Sequence, residues 1–458
     1  MSPKGLILDE KLIQKYGERS FMYTEYPNLR FWSHDYKDPE YRAALIELFR
    51  INSDVPLMLY VHIPHCHTQC LFCTCHVVIT KNYEDVRTYL GVLYKEIVLL
   101  KQFFKENGIR PNFREVHLGG GSPTYPNQAD FDVLMDKLQS IANLENLDEF
   151  AIEIDPRRIR PEKLGYYRSK GINRISFGIQ DFDLEVQKAV DRVQPAKLTE
   201  RFLTPELRGL FKNGVNFDII CGLPRQTRDS MRRTMEKVVE MSPERICMNY
   251  MHFIPGFHPH QLRMPAFPDN YERKMLFLEA MEILLENGYI RTGYDHFAKP
   301  VDDVVRAMYD GKMSWNRLGV TAGRYEAVIG IGVSGVSNLA SLYDFQNYFS
   351  SPETGIRDYV QSLLEGKFPI LRGYKLSQDD RIRREVIQTL RNYFYLDTGF
   401  IEEKYSIGFR DYFRTEMALL EECQEDGIVE IRDASIQVTD IGKQVVDAVC
   451  SKFDIYIR

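Results

Sequence analysis

From Pro56 to about Asn249 the chain alternates short apolar runs with helical periods, and this alternation limits its fold more than any other feature. The apolar runs are Leu57–Ile63, Glu115–Leu118, Phe150–Ile154, Arg174–Phe177, Phe217–Ile220 and Arg245–Asn249. Between them lie segments with the 3.6-residue spacing of a helix that buries one face, such as Tyr83–Phe104, Ala129–Ala142, Glu162–Ser169 and Asp229–Val239. Pro161 suits a first helical turn, and Gly171 and Gly214 suit stops just past a helix end. Six strand-then-helix units in series predict parallel strands with helices on the outside. Six is short of the eight that close a full barrel, so the expected class is α/β, an incomplete (β/α)6 barrel. In such folds the chemistry gathers at the C-terminal ends of the strands.

The flanks differ in kind. The first fifty-odd residues are charged and aromatic-rich with no clear period, and residues 1–35 are assigned to an N-terminal arm. The α/β unit takes residues 36–368, and residues 369–458 read as a mainly helical C-terminal domain. There Asp379–Tyr393 and Arg410–Cys423 carry amphipathic spacing, and a short hairpin follows Gly427. A length of 458 residues exceeds one ordinary core, and 44% apolar with 27% charged residues is a globular balance. The net charge of -6 argues against a nucleic acid as the main partner. The N-terminal segment MSPKGLILDEKLIQKYGERS has scattered charges and no apolar centre, and no later stretch suits a bilayer span. No membrane partner and a cytoplasmic location are therefore expected.

Of the 8 cysteines, four fall between Cys66 and Cys75, whereas Cys221, Cys247, Cys423 and Cys450 stand alone and read as buried core thiols. The cluster follows the first candidate strand, at a strand's C-terminal end. Its spacing, Cys66-x3-Cys70-x2-Cys73, lets one short loop wrap three corners of a four-iron–four-sulfur cubane and leaves the fourth iron open to a chelating ligand. A structural zinc site using all four cysteines is the alternative, although zinc ligands more often come as two separated pairs.

The surrounding residues resemble the radical S-adenosylmethionine (radical SAM) superfamily, in particular the oxygen-independent coproporphyrinogen III dehydrogenase (oxidase) family. The resemblance rests on LYVHIPHCHTQCLFCTC at Leu59–Cys75, GGGSPTY at Gly119–Tyr125, IEIDPR at Ile152–Arg157 and GIQDF at Gly178–Phe182. VDRVQ at Val190–Gln194, GLPRQT at Gly222–Thr227, DHFAKP at Asp295–Pro300, the segment from Arg381 and IQVTDIGK from Ile436 continue it in order. It implies a [4Fe-4S] cluster on Cys66, Cys70 and Cys73, one S-adenosylmethionine chelating the open iron, and a 5′-deoxyadenosyl radical that abstracts hydrogen from a C–H bond. Contacts to that S-adenosylmethionine are expected from Tyr60, Gly120, Gly121, Ser122, Glu153 and Arg192. The glycines allow close backbone approach, Ser122 donates to the carboxylate, Glu153 accepts from the ribose and Arg192 makes a two-point carboxylate contact. Gln180, Asp218, Met251 and Val336 fall where the family holds a second S-adenosylmethionine, with Met251 in place of the common alanine. Cys75 is typical of the dehydrogenases and is not an expected ligand.

Departures from the family concentrate on the expected substrate side. The arm keeps Tyr23, Thr24, Tyr26 and Pro27 but has Met22 where arginine is usual, and Asn316–Ala322 lacks the family's aromatic pair. His65 stands where phenylalanine is usual; it reads either as a tuner of the cluster or as a tolerated surface change. The leading expectation is oxidative decarboxylation of two propionates of coproporphyrinogen III to vinyl groups. This implies a tetrapyrrole substrate and an electron donor and acceptor that the sequence does not name. The alternatives are a radical methyltransferase or cyclopropane-forming relative, and a haem-binding, chaperone-like relative.

Overall fold

The computed structural model describes residues 9–17, 25–349 and 356–457. At its centre lies a twelve-stranded sheet. In chain order its strands are β1 (Pro56–Ile63), β2 (Asn112–Gly120), β3 (Glu149–Ile154), β4 (Arg174–Gln180), β5 (Val215–Cys221) and β6 (Arg245–Tyr250). They continue as β7 (Ile290–Thr292), β8 (His296–Ala298), β9 (Ala327–Ile331), β10 (Val336–Leu339), β11 (Tyr343–Asn347) and β12 (Ile370–Lys375). The spatial order is β12-β11-β10-β9-β1-β2-β3-β4-β5-β6-β8-β7, so the sheet is open, with β12 and β7 at its edges.

The six expected strands, β1 to β6, run parallel, each beside the next. The expected helices lie between them as Tyr83–Glu106, Gln128–Gln139, Lys163–Ser169 and Arg228–Met241. Gly171 ends the third of these with a left-handed backbone. Gly214 is left-handed too, but it sits in the turn entering β5 rather than at a helix end. A Cβ there would lie 2.6 Å from the Glu244 side chain. Sequence periodicity missed a seventh parallel strand, β9, on the other side of β1. Its run is five residues long and interrupted by Gly330, whose absent Cβ lets the backbone of Val336 pass.

Side-chain alternation explains why this sheet buries one face in apolar packing and keeps the other polar. Leu57, Leu59, Val61 and Ile63 on β1, Phe150, Ile152 and Ile154 on β3, and Phe217 and Ile219 on β5 are buried in the main core. The intervening residues Tyr60, His62, His117, Glu153, Ser176 and Asp218 face the interior cavities. Below them an ion network closes the lumen: Arg174 pairs with Glu149 at 2.8 Å, and Arg245 with Asp302 at 2.7 Å. Burial, then the charge of Glu149, pushes the Glu115 carboxyl beside this network up to about 8.

The flanks hold elements that sequence periodicity did not show, among them Glu10–Tyr16, Thr398–Tyr405 and Val446–Lys452. Asp38–Ile51 is a helix that buries Tyr41, Ala44, Leu45, Leu48 and Phe49, an i, i+3, i+4 stripe hidden among charged residues. Tyr26 is buried, while Met22, Tyr23 and Thr24 lie outside the described residues. The C-terminal region contains helices Gln378–Tyr393, Thr398–Tyr405, Arg414–Glu425 and Val446–Lys452 with a three-stranded sheet that includes the expected hairpin, Val429–Arg432 and Ser435–Val438. Strand β12 belongs to the main sheet although its residues follow position 368. Arg384 on the first C-terminal helix pairs with Asp344 on β11 and donates to the Tyr26 carbonyl at 2.7 Å, which ties arm, sheet and C-terminal region together. Among the described residues no helix is long and apolar enough to cross a membrane.

Candidate active site

A cavity of about 610 Å³ opens at the C-terminal ends of the parallel strands, within the usual range for a small-molecule site. Cys66, Cys70 and Cys73 line it, together with Tyr60, Gly120, Gly121, Ser122, Glu153, Gln180, Arg192, Asp218, Met251 and Val336. The residues expected to bind the cluster or S-adenosylmethionine thus border one space, although they come from β1, β2, β3, β4, β5 and β10 and from the loops after them.

The cysteine loop leaves β1 at Ile63 and is pinned at both ends. Gly121 N–H donates to the Ile63 carbonyl at 2.8 Å, and Thr80 N–H to the Cys66 carbonyl at 3.0 Å. Cys66 and Cys73 are partly exposed, Cys70 is buried and Cys75 is exposed. Two guanidinium groups face the Cys70 sulfur: Arg157 Nη2 at 3.5 Å and Arg192 Nη1 at 3.4 Å. Burial, then the neighbouring Cys73 and Cys70, pushes the Cys66 thiol above its ordinary value, while hydrogen bonding to Cys75 holds Cys73 below its own. Among the described residues no three His, Cys, Asp or Glu side chains converge on a single ion, as a four-cysteine zinc site requires. Three thiols of one loop on a cavity wall, with cationic donors behind one of them, fit an iron–sulfur cluster.

The remaining candidates are held by identifiable contacts. Glu153 accepts from Gly120 N–H at 3.2 Å and lies 3.1 Å from His117 Nε2. The Tyr60 hydroxyl meets His62 Nδ1 at 3.1 Å, and His62 Nε2 lies 2.9 Å from the His76 carbonyl oxygen. Asp218 accepts from Ser176 and Asn216, both at 2.9 Å; burial and then the charge of Glu153 push it up to about 6. Gln180 holds a left-handed backbone, φ 68°, at an irregularity between β4 and β5. Strain of this kind is typical of binding sites. Ser122 is buried, 3.3 Å from the Thr124 hydroxyl. Met251 packs with Leu71, Ile220, Leu223 and Met264 in a small apolar cluster beneath the cysteine loop.

Three sequence readings change in detail. The glycine run makes close contacts with the protein itself. A Cβ on Gly119 would meet Glu153 at 2.6 Å, one on Gly120 the His62 ring at 2.8 Å, and one on Gly121 the Pro64 carbonyl at 2.4 Å. Arg192 is already engaged: Nη2 donates to the Gly178 carbonyl at 2.6 Å, and of its three nitrogens Nε is buried without a partner among the described residues. His65 is not a surface residue. It is buried against Tyr89 and Tyr125, with Nδ1 unpartnered among the described residues.

Other cavity residues had no assigned role on sequence, including Asp155, Arg157, Gly178, Trp315 and Arg391. Asp155 accepts from Arg157 at 2.7 Å and lies 3.7 Å from Arg192. Against the opposing effect of burial, these two arginines hold it down to about 2. A Cβ on Gly178 would lie 2.8 Å from Gln180 Nε2 and 3.1 Å from Arg192 Nη2. The IEIDPR and GIQDF motifs carried the first three residues, and the family-like segment from Arg381 carried Arg391 without a role; no local signal marked Trp315.

Comparison with known proteins agrees with this geometry. The profile of the radical SAM superfamily matches residues 60–238, and that of the HemN C-terminal domain matches residues 376–445. The chain is 34% identical to the oxygen-independent coproporphyrinogen III oxidase of Salmonella typhimurium, over 100% of this chain and 97% of that protein. With its counterpart from Pseudomonas aeruginosa it shares 35% identity, over 98% and 96% of the two chains. The crystal structure of Escherichia coli coproporphyrinogen III oxidase (HemN), described as a radical SAM enzyme, superposes with a TM-score of 0.87 at 33% identity, covering 98% of this chain and 99% of that one. Its sequence, its fold and the cavity at its strand ends together make this chain a member of the oxygen-independent coproporphyrinogen III oxidase family of radical SAM enzymes.

Proposed function

We propose that the protein oxidatively decarboxylates two propionate side chains of coproporphyrinogen III, giving the vinyl groups of protoporphyrinogen IX and carbon dioxide. The observation that carries this reading is the convergence of the three-thiol loop and ten further candidate residues on one cavity. Full-length similarity to the oxidases supports it over the methyl-transfer and haem-binding readings.

Cys66, Cys70 and Cys73 would hold a [4Fe-4S] cluster, with Arg157 and Arg192 donating to the Cys70 sulfur. When bound, cluster and S-adenosylmethionine supply the one-electron chemistry that removes a hydrogen atom from the propionate carbon β to the carboxylate. Tyr60, Gly120, Gly121, Ser122, Glu153 and Arg192 would bind and orient S-adenosylmethionine. Gln180, Asp218, Met251 and Val336 would border a second molecule. Leu71 and Met251 exclude water from beneath the loop. Each propionate loses one hydrogen atom, one further electron and carbon dioxide, so an external one-electron acceptor completes each turnover.

Anaerobic, cluster-reconstituted protein given S-adenosylmethionine, a reductant, an electron acceptor and coproporphyrinogen III is expected to release carbon dioxide and form the divinyl product. Unchanged tetrapyrrole beside abundant 5′-deoxyadenosine would reject this substrate. Labelled methyl appearing in the product would instead support the methyltransferase reading.

A further inference from the structure

Arg391 lies on the C-terminal helix Gln378–Tyr393, far in sequence from every cluster and S-adenosylmethionine motif, yet it lines the main cavity. It is only 7% exposed. Its guanidinium is clamped between aromatic rings, 4.4 Å from the centroid of Trp315 and 5.0 Å from that of Tyr294. Nε is fixed by Asp447 Oδ1 at 2.9 Å, whereas Nη1 is buried with no partner among the described residues. An unmet donor on a buried guanidinium is costly unless an anion completes it. Asp447 and, after it, Asp295 are the carboxylates that act on this guanidinium, and Asp447 also acts on buried Lys274.

The other arginines around the cavity are committed elsewhere. Arg157 and Arg192 face Asp155 and the Cys70 sulfur, and Arg317 pairs with Glu25 at 2.6 Å. Arg158 is exposed and donates to Thr68 at 3.2 Å. Arg391 alone among them combines burial, a rigid aromatic clamp and a free terminal donor away from the thiols.

We infer that Arg391 is a substrate-binding residue whose guanidinium receives a propionate carboxylate of the tetrapyrrole, held flat for this by Trp315, Tyr294 and Asp447. The inference rests on the proposed substrate. Trp315 sits on the hairpin strand Ser314–Asn316, immediately before the stretch Asn316–Ala322 where this chain leaves the family pattern. A planar fork on an aromatic face suits a carboxylate better than a lysine would.

The test is a four-cornered binding cycle on full-length, reconstituted protein. Coproporphyrin III and its tetramethyl ester are titrated by fluorescence into wild type and Arg391→Gln, with Arg391→Lys as a variant that keeps the charge facing Asp447. Arg391→Gln is expected to weaken the tetra-acid about tenfold or more and the ester by less than about twofold. Arg391→Lys is expected to fall between, and KM for coproporphyrinogen III to rise more than kcat falls. Equal weakening of acid and ester, or no weakening of either, overturns the role of Arg391. Wild-type protein that decarboxylates coproporphyrinogen III alongside such a result would leave the proposed function standing. Wild-type protein that neither binds the tetra-acid nor decarboxylates the substrate overturns both.

Discussion

Replacing Gly121 with alanine tests whether the glycine run serves the cysteine loop or the ligand. The new Cβ would lie 2.4 Å from the Pro64 carbonyl oxygen, 2.6 Å from its carbon and 3.0 Å from the His65 carbonyl oxygen. Ordinary C···O contacts begin near about 3.3 Å, so backbone must retreat by about 0.9 Å. A side chain cannot swing away to relieve this contact, because the obstructing atoms are main chain two positions before Cys66. Retreat also strains the Gly121 N–H to Ile63 carbonyl hydrogen bond, 2.8 Å long. Overpacking of this kind costs about 1–3 kcal/mol, and the strained hydrogen bond adds about 1 kcal/mol. The expected result is a fall of several degrees in melting temperature and a loss of most iron and acid-labile sulfide after reconstitution. Gly91→Ala is the control: it sits inside helix Tyr83–Glu106 with open space around its Cβ, and is expected to stabilise by about 0.5–1 kcal/mol. Gly121→Ala protein with wild-type iron, sulfide and melting temperature would refute the packing account.

Glu96 is fully buried and accepts hydrogen bonds from Tyr359, Asn347 and Gly332 N–H, yet burial pushes its carboxyl up to about 7. The folded protein therefore binds this proton more tightly than the unfolded chain, so its stabilising contribution is full below the unfolded carboxyl's range and is lost as pH rises towards 7. Relative to wild type, Glu96→Gln should gain stability between pH 5 and 7 by up to about 1.4 kcal/mol per pH unit, measured by urea unfolding; a flat difference would contradict the assignment. Arg384→Ala leaves Asp344 buried with Asn338 but without its charge partner and should cost about 3–5 kcal/mol in the same assay, whereas a loss under about 1 kcal/mol would show the tie to be dispensable. Cys75→Ser should retain the iron and sulfide of wild type, while Cys66→Ala, Cys70→Ala or Cys73→Ala should each lose most of both. Cluster loss in Cys75→Ser equal to that in Cys73→Ala would make Cys75 a ligand.

The sequence by itself determined the elements and the chemistry that depends on neighbours along the chain. Residues that alternate on a strand show which face is apolar, so β1 to β6 and four of the helices between them were legible from periodicity, while the short helices Leu184–Ala189, Ala196–Glu200 and Pro205–Gly209 were not. The Cys66–Cys73 spacing is likewise local, and a three-thiol loop follows directly from it. Only the tertiary structure decided which distant residues meet. Strand β9 pairs with β1 across more than half the chain, and its short, glycine-broken run carries no period to announce it. His65 turned out to be buried because Tyr89 and Tyr125 pack over it from other elements. The glycine run proved to serve Glu153, His62 and Pro64, none of them its sequence neighbours. Trp315, Arg391 and Asp447 form one clamp out of a hairpin and two C-terminal helices. Local pattern records the face that each element buries; a partner for a buried charge is set by long-range packing, which leaves no periodic trace.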